Sequence, residues 1–229
     1  MMLKVVAVNS SPQMDKGNTA LILNPFIEGM REAGAEVTLL FTKKLNIEHC
    51  SGEFKCWGDT PGKCYIRDDM DKVLPKLRDA EIWVLGIPLY VPMPGEMQDL
   101  INRTMPLLES SVDVRGRRMF PARRKDFKLR RIVLVSSCAF WEMENFDKLV
   151  FTIKETAEAL GAEYAGSVLR PHAVVLKSMM KSGQDVDSVL RAAKKAGTEL
   201  ISKGRISKET LDKVSSPLIT FEEYLENYV

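Results

Sequence analysis

The chain has 229 residues, of which 45% are hydrophobic and 28% are charged. This composition is that of an ordinary globular protein of one large domain or two small ones, and it excludes disordered and fibrous chains. Lysine and arginine total 33 against 31 aspartates and glutamates, a net charge of +2. The strong basic excess of a dedicated nucleic-acid binder is therefore missing.

Neither a transmembrane segment nor a secretory signal is predicted. The longest apolar run, residues 82–95, is interrupted by three prolines and is too short to span a bilayer. We therefore expect a cytoplasmic protein with no membrane partner. Four cysteines are too few for a secreted disulfide scaffold, and in a reducing compartment the three thiols at positions 50–64 indicate metal or redox chemistry more than structural bridges.

Five apolar segments of strand length alternate with amphipathic helices. We predict strands at residues 3–9, 36–41, 81–87, 132–137 and 162–169. We predict helices at residues 18–33, 70–78, 96–108, 145–160 and 185–203. Apolar strands without polar alternation are typical of a parallel sheet covered on both faces. The pattern therefore predicts an α/β fold, a doubly wound five-stranded parallel sheet with helices on both faces.

Three segments lie outside this alternation, in what we predict to be a single domain over residues 1–229. They are a turn-rich loop with three cysteines (residues 43–67), a basic insertion without clear periodicity (residues 110–131) and a C-terminal tail (residues 205–229). For the insertion we favour a solvated or subunit-bridging loop. The alternative is a patch that attracts a phosphate group or an acidic partner. The tail predicts packing across the domain or onto a partner subunit.

Ligands of such folds bind outside the carboxyl ends of the strands, where three loops are expected. The first loop, residues 10–19, is rich in hydroxyl and amide groups and leads into a helix N-terminus, but it is neither a Walker A loop nor a GxGxxG turn. Such a loop suits a single phosphate group, and Gly17 would let the backbone approach it closely. The alternative is an ordinary strand–helix turn with Asn18 as N-cap.

The other two loops follow the third and fourth strands. Residues 88–95 combine a proline-rich backbone with Tyr90 and suit a flat ring system, or else form a rigid turn over a packed tyrosine. Residues 136–141 place small polar groups beside two aromatic side chains, or else form a connection with buried aromatics.

These motifs carry a resemblance to a known family. The run S-S-P-x4-G-N-T follows the first strand, P-L-Y follows the third, and C-Y-I-R-D-D-M at residues 64–70 lies between them. Together they resemble the NADPH-dependent FMN reductases of flavodoxin-like fold, especially the branch of iron–sulfur flavoproteins and multimeric flavodoxins. The resemblance extends over nearly the whole chain.

The resemblance implies an FMN-dependent NAD(P)H oxidoreductase. Electrons would pass from NADPH or NADH to a quinone, a flavin or another small-molecule acceptor. The alternative is an FMN-containing electron carrier reduced by a ferredoxin, and a non-redox binding module on the same fold is a third possibility. The resemblance also implies a homodimer or homotetramer, and we expect no nucleic-acid partner.

By position, the resemblance implies a set of FMN-binding residues. Those of the phosphate end are Ser10, Pro12, Gln13, Gly17, Asn18, Thr19 and Ala20. Those around the isoalloxazine ring are Pro88, Leu89, Tyr90, Val91, Met93, Ser136, Ser137 and Cys138. The family commonly has arginine where this chain has Gln13, and its loss would weaken phosphate binding without abolishing it. We assign no catalytic residue, because the cofactor carries the redox chemistry, and we expect His49 and His172 to be surface or packing residues.

The iron–sulfur branch holds a [4Fe–4S] cluster through a compact four-cysteine motif. The candidate metal ligands in this chain are three cysteines with spacers of five and seven residues, Cys50, Cys56 and Cys64. Since a cubane cluster normally needs four thiolates, we expect a remnant loop with free thiols and no metal. The alternatives are a cluster completed by Glu53, His49 or Cys138, a zinc site that includes His49, and a disulfide within the loop.

Overall fold

The computed structural model describes residues 2–229, and Met1, the first residue of the predicted domain, lies outside them. The strands are β1 (Lys4–Asn9), β2 (Glu36–Phe41), β3 (Ile82–Pro88), β4 (Leu108–Arg115), β5 (Arg118–Arg123), β6 (Arg131–Ser137) and β7 (Glu163–Arg170). The helices are α1 (Asn18–Glu32), α2 (Met70–Asp79), α3 (Gly95–Asn102), α4 (Asp147–Ala159), α5 (Ala173–Lys181), α6 (Asp187–Lys203), α7 (Lys208–Ser215) and α8 (Phe221–Tyr228). Five strands form one parallel sheet in the order β2-β1-β3-β6-β7. The predicted doubly wound fold is confirmed.

Each face of the sheet has its own hydrophobic core. Side chains of a strand alternate between the faces, so Val5 and Ala7 pack with α1 and α6, while Val6 and Val8 pack with α2, α3 and α4. Both sets are apolar, which explains why the strands read as continuous apolar runs.

Helices α1 and α6 approach each other closely through two glycines. A Cβ atom at Gly29 would lie 1.9 Å from the carbonyl oxygen of Lys194, and one at Gly197 would lie 1.9 Å from the carbonyl oxygen of Phe26. Any side chain at either position would therefore push the two helices apart.

The strand order brings the three predicted loops together. In the sheet, Asn9 at the end of β1 lies beside Gly86 of β3, and Pro88 at the end of β3 lies beside Ser137 of β6. The carboxyl ends of these three strands are therefore neighbours at one edge of the sheet, where doubly wound folds bind their ligands.

The basic insertion is a β-hairpin, and the prediction of a loop without regular structure was wrong. Strands β4 and β5 pair antiparallel around a turn at Gly116, whose φ of 61° favours glycine. The exposed face of the hairpin carries apolar side chains, with Val112, Val114 and Met119 all more than 60% exposed. The sequence pattern did not reveal the hairpin, because β5 contains Pro121 and lacks a regular apolar–polar alternation, and a proline within a run counts against a strand.

Two helices also differ from the prediction. The helix predicted at residues 96–108 ends at Asn102, and a 3₁₀ turn, Met105–Leu107, follows it. Pro106 lies in that turn, where its missing N–H and its ring oppose a continuing α-helix. Helix α5 was not predicted, although Val175 and Leu176 are buried on one of its faces.

The C-terminal tail packs across its own domain, the first of the two predicted placements. The guanidinium of Arg170 at the end of β7 donates to the carbonyl oxygens of Val214 (2.9 Å) and Ser216 (2.7 Å). The hydroxyl of Tyr224 in α8 donates to the carbonyl oxygen of Ala139 at 3.0 Å. Within residues 2–229, no helix combines the length and apolarity that crossing a bilayer requires.

Candidate functional site

The loops after β1, β3 and β6, together with one face of α5, enclose a cleft of about 510 Å³. We call it the strand-end cleft. Nine of the predicted cofactor residues line it: Gln13, Gly17, Asn18, Thr19, Pro88, Leu89, Tyr90, Ser137 and Cys138. Its volume lies in the range of small-molecule and cofactor sites.

The first loop is folded by hydrogen bonds to its own side chains. The N–H of Ser11 donates to Asn9 Oδ1 (2.9 Å), and the N–H of Gln13 donates to Ser11 Oγ (3.3 Å). A Cβ atom at Gly17 would lie 2.2 Å from Ser11 Oγ. Glycine at this position therefore lets the serine hydroxyl lie against the start of α1.

The N-terminus of α1 opens into the cleft without a capping side chain. The first N–H groups of an α-helix have no partner within the helix, and the N-cap residue is Gly17, which has no side chain to accept from them. The predicted N-cap, Asn18, is instead the first helical residue, and its Oδ1 atom is buried with no hydrogen-bond partner in the described chain. Unpaired N–H groups at the positive end of a helix dipole suit an anion.

Ser137 ties the three loops together. Its hydroxyl lies 2.9 Å from that of Thr19 at the start of α1. Its carbonyl oxygen accepts from the N–H of Leu89 in the second loop at 3.0 Å. These two hydrogen bonds fix the positions of the first, second and third loops relative to one another.

Six predicted cofactor residues do not line this cleft: Ser10, Pro12, Ala20, Val91, Met93 and Ser136. The hydroxyls of Ser10 and Ser136 are buried and donate to the backbone of β3, at Gly86 (3.2 Å) and Ile87 (2.6 Å). The side chains of Ala20 and Met93 belong to the hydrophobic cores, and Pro12 is exposed. The role of the whole predicted set in binding FMN stays a prediction.

Six residues line the cleft without having been predicted: Ser11, Ala139, Val174, Lys177, Ser178 and Lys181. The last four lie on α5, at the spacing of one helical face. The two lysines stand opposite the buried Val175 and Leu176, and this amphipathic pattern is the signal that could have revealed the helix.

A second cleft of about 610 Å³ adjoins the first and shares four residues with it, Leu89, Tyr90, Cys138 and Ala139. It adds two exposed apolar side chains, Val91 and Phe140, and charged groups from Glu144, Asp147 and Lys148. An apolar floor with charged groups at its border is suited to a flat ligand with polar ends.

Two buried titratable groups lie at the third loop: His172 behind the loop, and Cys138 in the wall of the cleft. Burial and the neighbouring Arg170 lower the pKa of His172 to about 4, so its imidazole is neutral near pH 7. Its ring packs 4.6 Å from that of Trp141. Burial also raises the pKa of the Cys138 thiol to about 11, which keeps that thiol protonated.

The three loop cysteines line one pocket of about 250 Å³, away from the strand-end cleft. Cys50 is exposed, Cys56 is buried, and all three are free thiols. Burial and the neighbouring Cys64 raise the pKa of the Cys56 thiol. Among residues 2–229, no three histidine, cysteine or acidic side chains are arranged to hold a metal ion. The three cysteines of this pocket therefore do not fit a four-thiolate cluster, because a fourth thiolate is missing.

A buried ion pair anchors the cysteine loop to α3 and α2. Arg103 and Asp68 are each 1% exposed and approach to 2.6 Å. Arg103 also donates to the carbonyl oxygen of Glu48 at 2.7 Å. Burial alone would raise the pKa of Asp68, but hydrogen bonds from Arg103 and from the N–H groups of Glu48 and Met70 hold that pKa below its usual value.

The arginines of the hairpin are engaged mainly with α4 and the turn after it. Arg118 pairs with Glu155 (2.6 Å) and Glu158, and Arg123 donates to the carbonyl oxygen of Gly161 at 2.6 Å. These contacts fasten the hairpin to the domain. The solvated or subunit-bridging loop that we favoured from the sequence is thus corrected to a hairpin docked on its own domain, because its arginines find acceptors on α4 and in the turn after it. A contact with a partner subunit stays a prediction.

A doubly wound sheet with an uncapped helix N-terminus and a cleft at its strand ends is the arrangement in which flavins and nucleotides are commonly bound. Comparison with known families makes this specific. The chain belongs to the NADPH-dependent FMN reductase family, whose profile matches residues 3–128.

Curated relatives lie in the branch expected from the sequence. An iron–sulfur flavoprotein of Archaeoglobus fulgidus is 33% identical over 103 residues, covering 44% of this chain and 49% of that protein. One from Methanocaldococcus jannaschii is 30% identical over 106 residues, covering 46% and 53%. The chain thus matches about half the length of these relatives.

Solved structures share the fold. An FMN-dependent NADH-azoreductase from Bacillus anthracis in complex with FMN superposes with a TM-score of 0.62 at 16% identity, covering 88% of this chain and 99% of that one. An NAD(P)H:quinone oxidoreductase from Methanothermobacter marburgensis gives 0.60 at 15% identity, covering 87% and 98%.

Proposed function

We propose that the chain binds FMN in the strand-end cleft and passes electrons from NADPH or NADH to a small-molecule acceptor such as a quinone or a flavin. The observation that carries the proposal is the uncapped N-terminus of α1, which opens into a cleft bordered by the three strand-end loops. Membership of the FMN reductase family supports the same cofactor.

The phosphate group would bind at the start of α1. The N–H groups of Asn18 and Thr19 and the hydroxyl of Ser11 supply donors there, and the helix dipole adds a favourable field. The unpaired Oδ1 atom of Asn18 provides an acceptor for a hydroxyl group of the ribityl chain. Leaving this buried acceptor without a partner would be unfavourable, so the site fits a ligand that carries both phosphate and hydroxyl groups.

The isoalloxazine ring would lie between the second and third loops. Pro88, Leu89 and Tyr90 border one side, and Ser137 and Cys138 border the other. The chemistry that FMN supplies when bound is hydride acceptance from a reduced nicotinamide and electron donation to an acceptor. The protonated Cys138 thiol adds no negative charge beside the ring.

The adjoining cleft would take the nicotinamide and the acceptor in turn. The lining of the adjoining cleft includes Tyr90 and Phe140, which are 54% and 63% exposed. Tyr90 also lines the strand-end cleft, where the flavin would bind. Burial of these exposed aromatic surfaces by a flat substrate favours binding. No acid or base of this chain is needed, and we propose none.

A second candidate is an electron carrier that a ferredoxin reduces. The names of the curated relatives favour it, since they are iron–sulfur flavoproteins. Against a cluster in this chain stands the arrangement of its three loop thiols, which among the described residues form no metal site. The carrier would then work through the flavin alone.

Anaerobic flavin spectroscopy tests both candidates. Purified protein is titrated with FMN and then mixed with NADPH, NADH or reduced ferredoxin. Binding followed by bleaching of the visible flavin band with a nicotinamide supports the enzyme, whereas bleaching by ferredoxin alone supports the carrier. Absence of FMN binding would refute both.

Two further measurements address the remaining expectations. Iron and zinc analysis of anaerobically purified protein tests the expectation of free thiols, and one metal site per chain would overturn it. Light scattering measures whether the chain is the homodimer or homotetramer that the resemblance implies.

A further inference from the structure

The charge on the walls of the strand-end cleft comes from one helix. Among the described residues that line it, the charged side chains are Lys177 and Lys181, both on α5, and no carboxylate joins them. The first loop contributes only neutral lining groups, among them Gln13 and Ser11. An FMN phosphate carries a charge of about −1.5 to −2 near pH 7. The two lysines of α5 can therefore supply the positive charge that balances the phosphate.

Lys177 reaches the helix start that the phosphate would occupy. Its Nζ atom donates to the carbonyl oxygen of Lys16 at 2.7 Å, and Lys16 immediately precedes Gly17, the N-cap of α1. An ammonium group has three N–H donors. One is used on Lys16, and two remain to be directed toward an anion at the N-terminus of α1.

Helix α5 is attached to the cleft, so the position of Lys177 is well defined. The N–H of His172 donates to the carbonyl oxygen of Phe140 (2.7 Å), and that of Ala173 donates to the carbonyl oxygen of Cys138 (2.9 Å). The buried Val175 and Leu176 hold the opposite face of the helix in the core. Lys177 is itself half-buried, whereas Lys181, one turn later, is exposed at the cleft mouth.

We infer that Lys177, assisted by Lys181, binds the phosphate group of the cofactor and gives the cleft its preference for FMN over riboflavin. This inference rests on the proposed function, since it assigns a residue to the same FMN site. The residue lies outside residues 3–128, the part that the family profile matches. A charge-assisted hydrogen bond from α5 would act together with the N–H groups of α1.

The test compares two flavins that differ only in the phosphate. Dissociation constants for FMN and riboflavin are measured by fluorescence titration of the apoprotein, for the native chain and for Lys177→Met, Lys177→Arg and Lys181→Met. We expect Lys177→Met to weaken FMN binding about tenfold and to leave riboflavin binding unchanged, because only the charged contact is lost. Lys177→Arg should retain most of the preference, and Lys181→Met should reduce it by about twofold, as befits an exposed charge.

The matched control is Lys195→Met, which removes an exposed lysine of α6 that does not line the cleft. It should change neither affinity. Equal weakening of both flavins by Lys177→Met, or no change in either, would overturn the inference while leaving FMN binding itself intact. A native chain that binds neither flavin would instead refute the proposed function.

The salt dependence of flavin binding tests the same inference on the native chain alone. The affinity for FMN should fall with rising salt while that for riboflavin stays constant, because an ion pair is screened and a neutral contact is not. Parallel salt profiles for the two flavins would contradict a charged phosphate contact.

Discussion

The strand-end cleft and the cysteine loop differ in how their polar groups are satisfied. Beside the cysteine loop, the Asp68 carboxylate and both terminal nitrogens of Arg103 are buried and paired, and of these two side chains only Arg103 Nε has no partner among the described residues. A further arginine, Arg124, donates to the carbonyl oxygen of Cys56 at 3.2 Å. In the cleft, the N-terminus of α1 has no capping side chain and Asn18 Oδ1 has no partner among the described residues.

The difference separates groups that stabilise the fold from groups that remain for a ligand. A buried ion pair that loses one member is strongly destabilising, because a charge is left without a partner. An uncapped helix end at a cleft costs little in stability, since water can reach it, and it gains a partner when an anion binds. Four predictions test this comparison.

The largest effect is expected from Arg103→Met. The variant leaves the Asp68 carboxylate buried without its partner and should lose about 3–5 kcal/mol of unfolding free energy in urea. The control, Arg67→Met, removes an exposed arginine that pairs with Asp71 at 3.1 Å, and its urea midpoint should stay unchanged. Similar losses for both variants would show that the buried pair does not anchor the loop.

A smaller effect is expected from acid titration behind the cleft. The pKa of His172 is about 4 in the folded chain, against about 6.5 for an unfolded histidine. The unfolded chain therefore binds the proton more readily, and stability is lost as the pH falls from about 6.5 toward 4. Between pH 7 and pH 5 the loss from this group is about 2 kcal/mol.

The variant His172→Asn removes this titration, and asparagine tolerates the left-handed backbone at this position, where φ is 38°. Urea unfolding at the two pH values should give a smaller difference than in the native chain. An equal difference would mean that His172 does not contribute to the acid sensitivity.

A more modest effect is expected at the helix start. Gly17→Ala places a Cβ atom where Ser11 Oγ lies, so the serine hydroxyl must rotate away. FMN affinity should fall about tenfold, with little change in thermal stability, because φ at Gly17 is −78° and suits alanine.

Gly95→Ala is the control for this variant, since a Cβ atom there meets no atom within 4 Å. Its FMN affinity should equal that of the native chain. If Gly17→Ala binds FMN as tightly as the control, the first loop does not hold the phosphate.

The smallest effect is expected from His49→Ala. His49 Nδ1 lies 2.7 Å from Asp99 Oδ1, but the ring is 86% exposed, and exposed ion pairs contribute little to stability. The urea midpoint should be unchanged within error. A loss like that of Arg103→Met would contradict the distinction between buried and exposed pairs in the cysteine loop.

Much of the fold was predictable, because burial on both faces of a parallel sheet leaves a local signature. The apolar runs at β1, β3 and β6 and the helical period of α1 and α6 are readable without any tertiary information. The hairpin was missed because β5 lacks a period of two and contains Pro121, which counts against a strand. The three strand-end loops of the cleft were found because they follow strands, and the strand ends of this fold are neighbours.

By itself, the sequence determined the order of strands and helices and the loops that meet at the strand ends, because those features follow from hydrophobic period and from topology. Only the tertiary structure decided that α5 forms a wall of the cleft and that Lys177 lies beside Lys16, 161 positions away along the chain. It likewise decided that Ser10 and Ser136 turn into the sheet while Ser11 and Ser137 face the cleft. The reason is physical: which of two neighbouring serines meets a ligand depends on hydrogen bonds and packing with distant strands and helices, and no local pattern encodes those contacts.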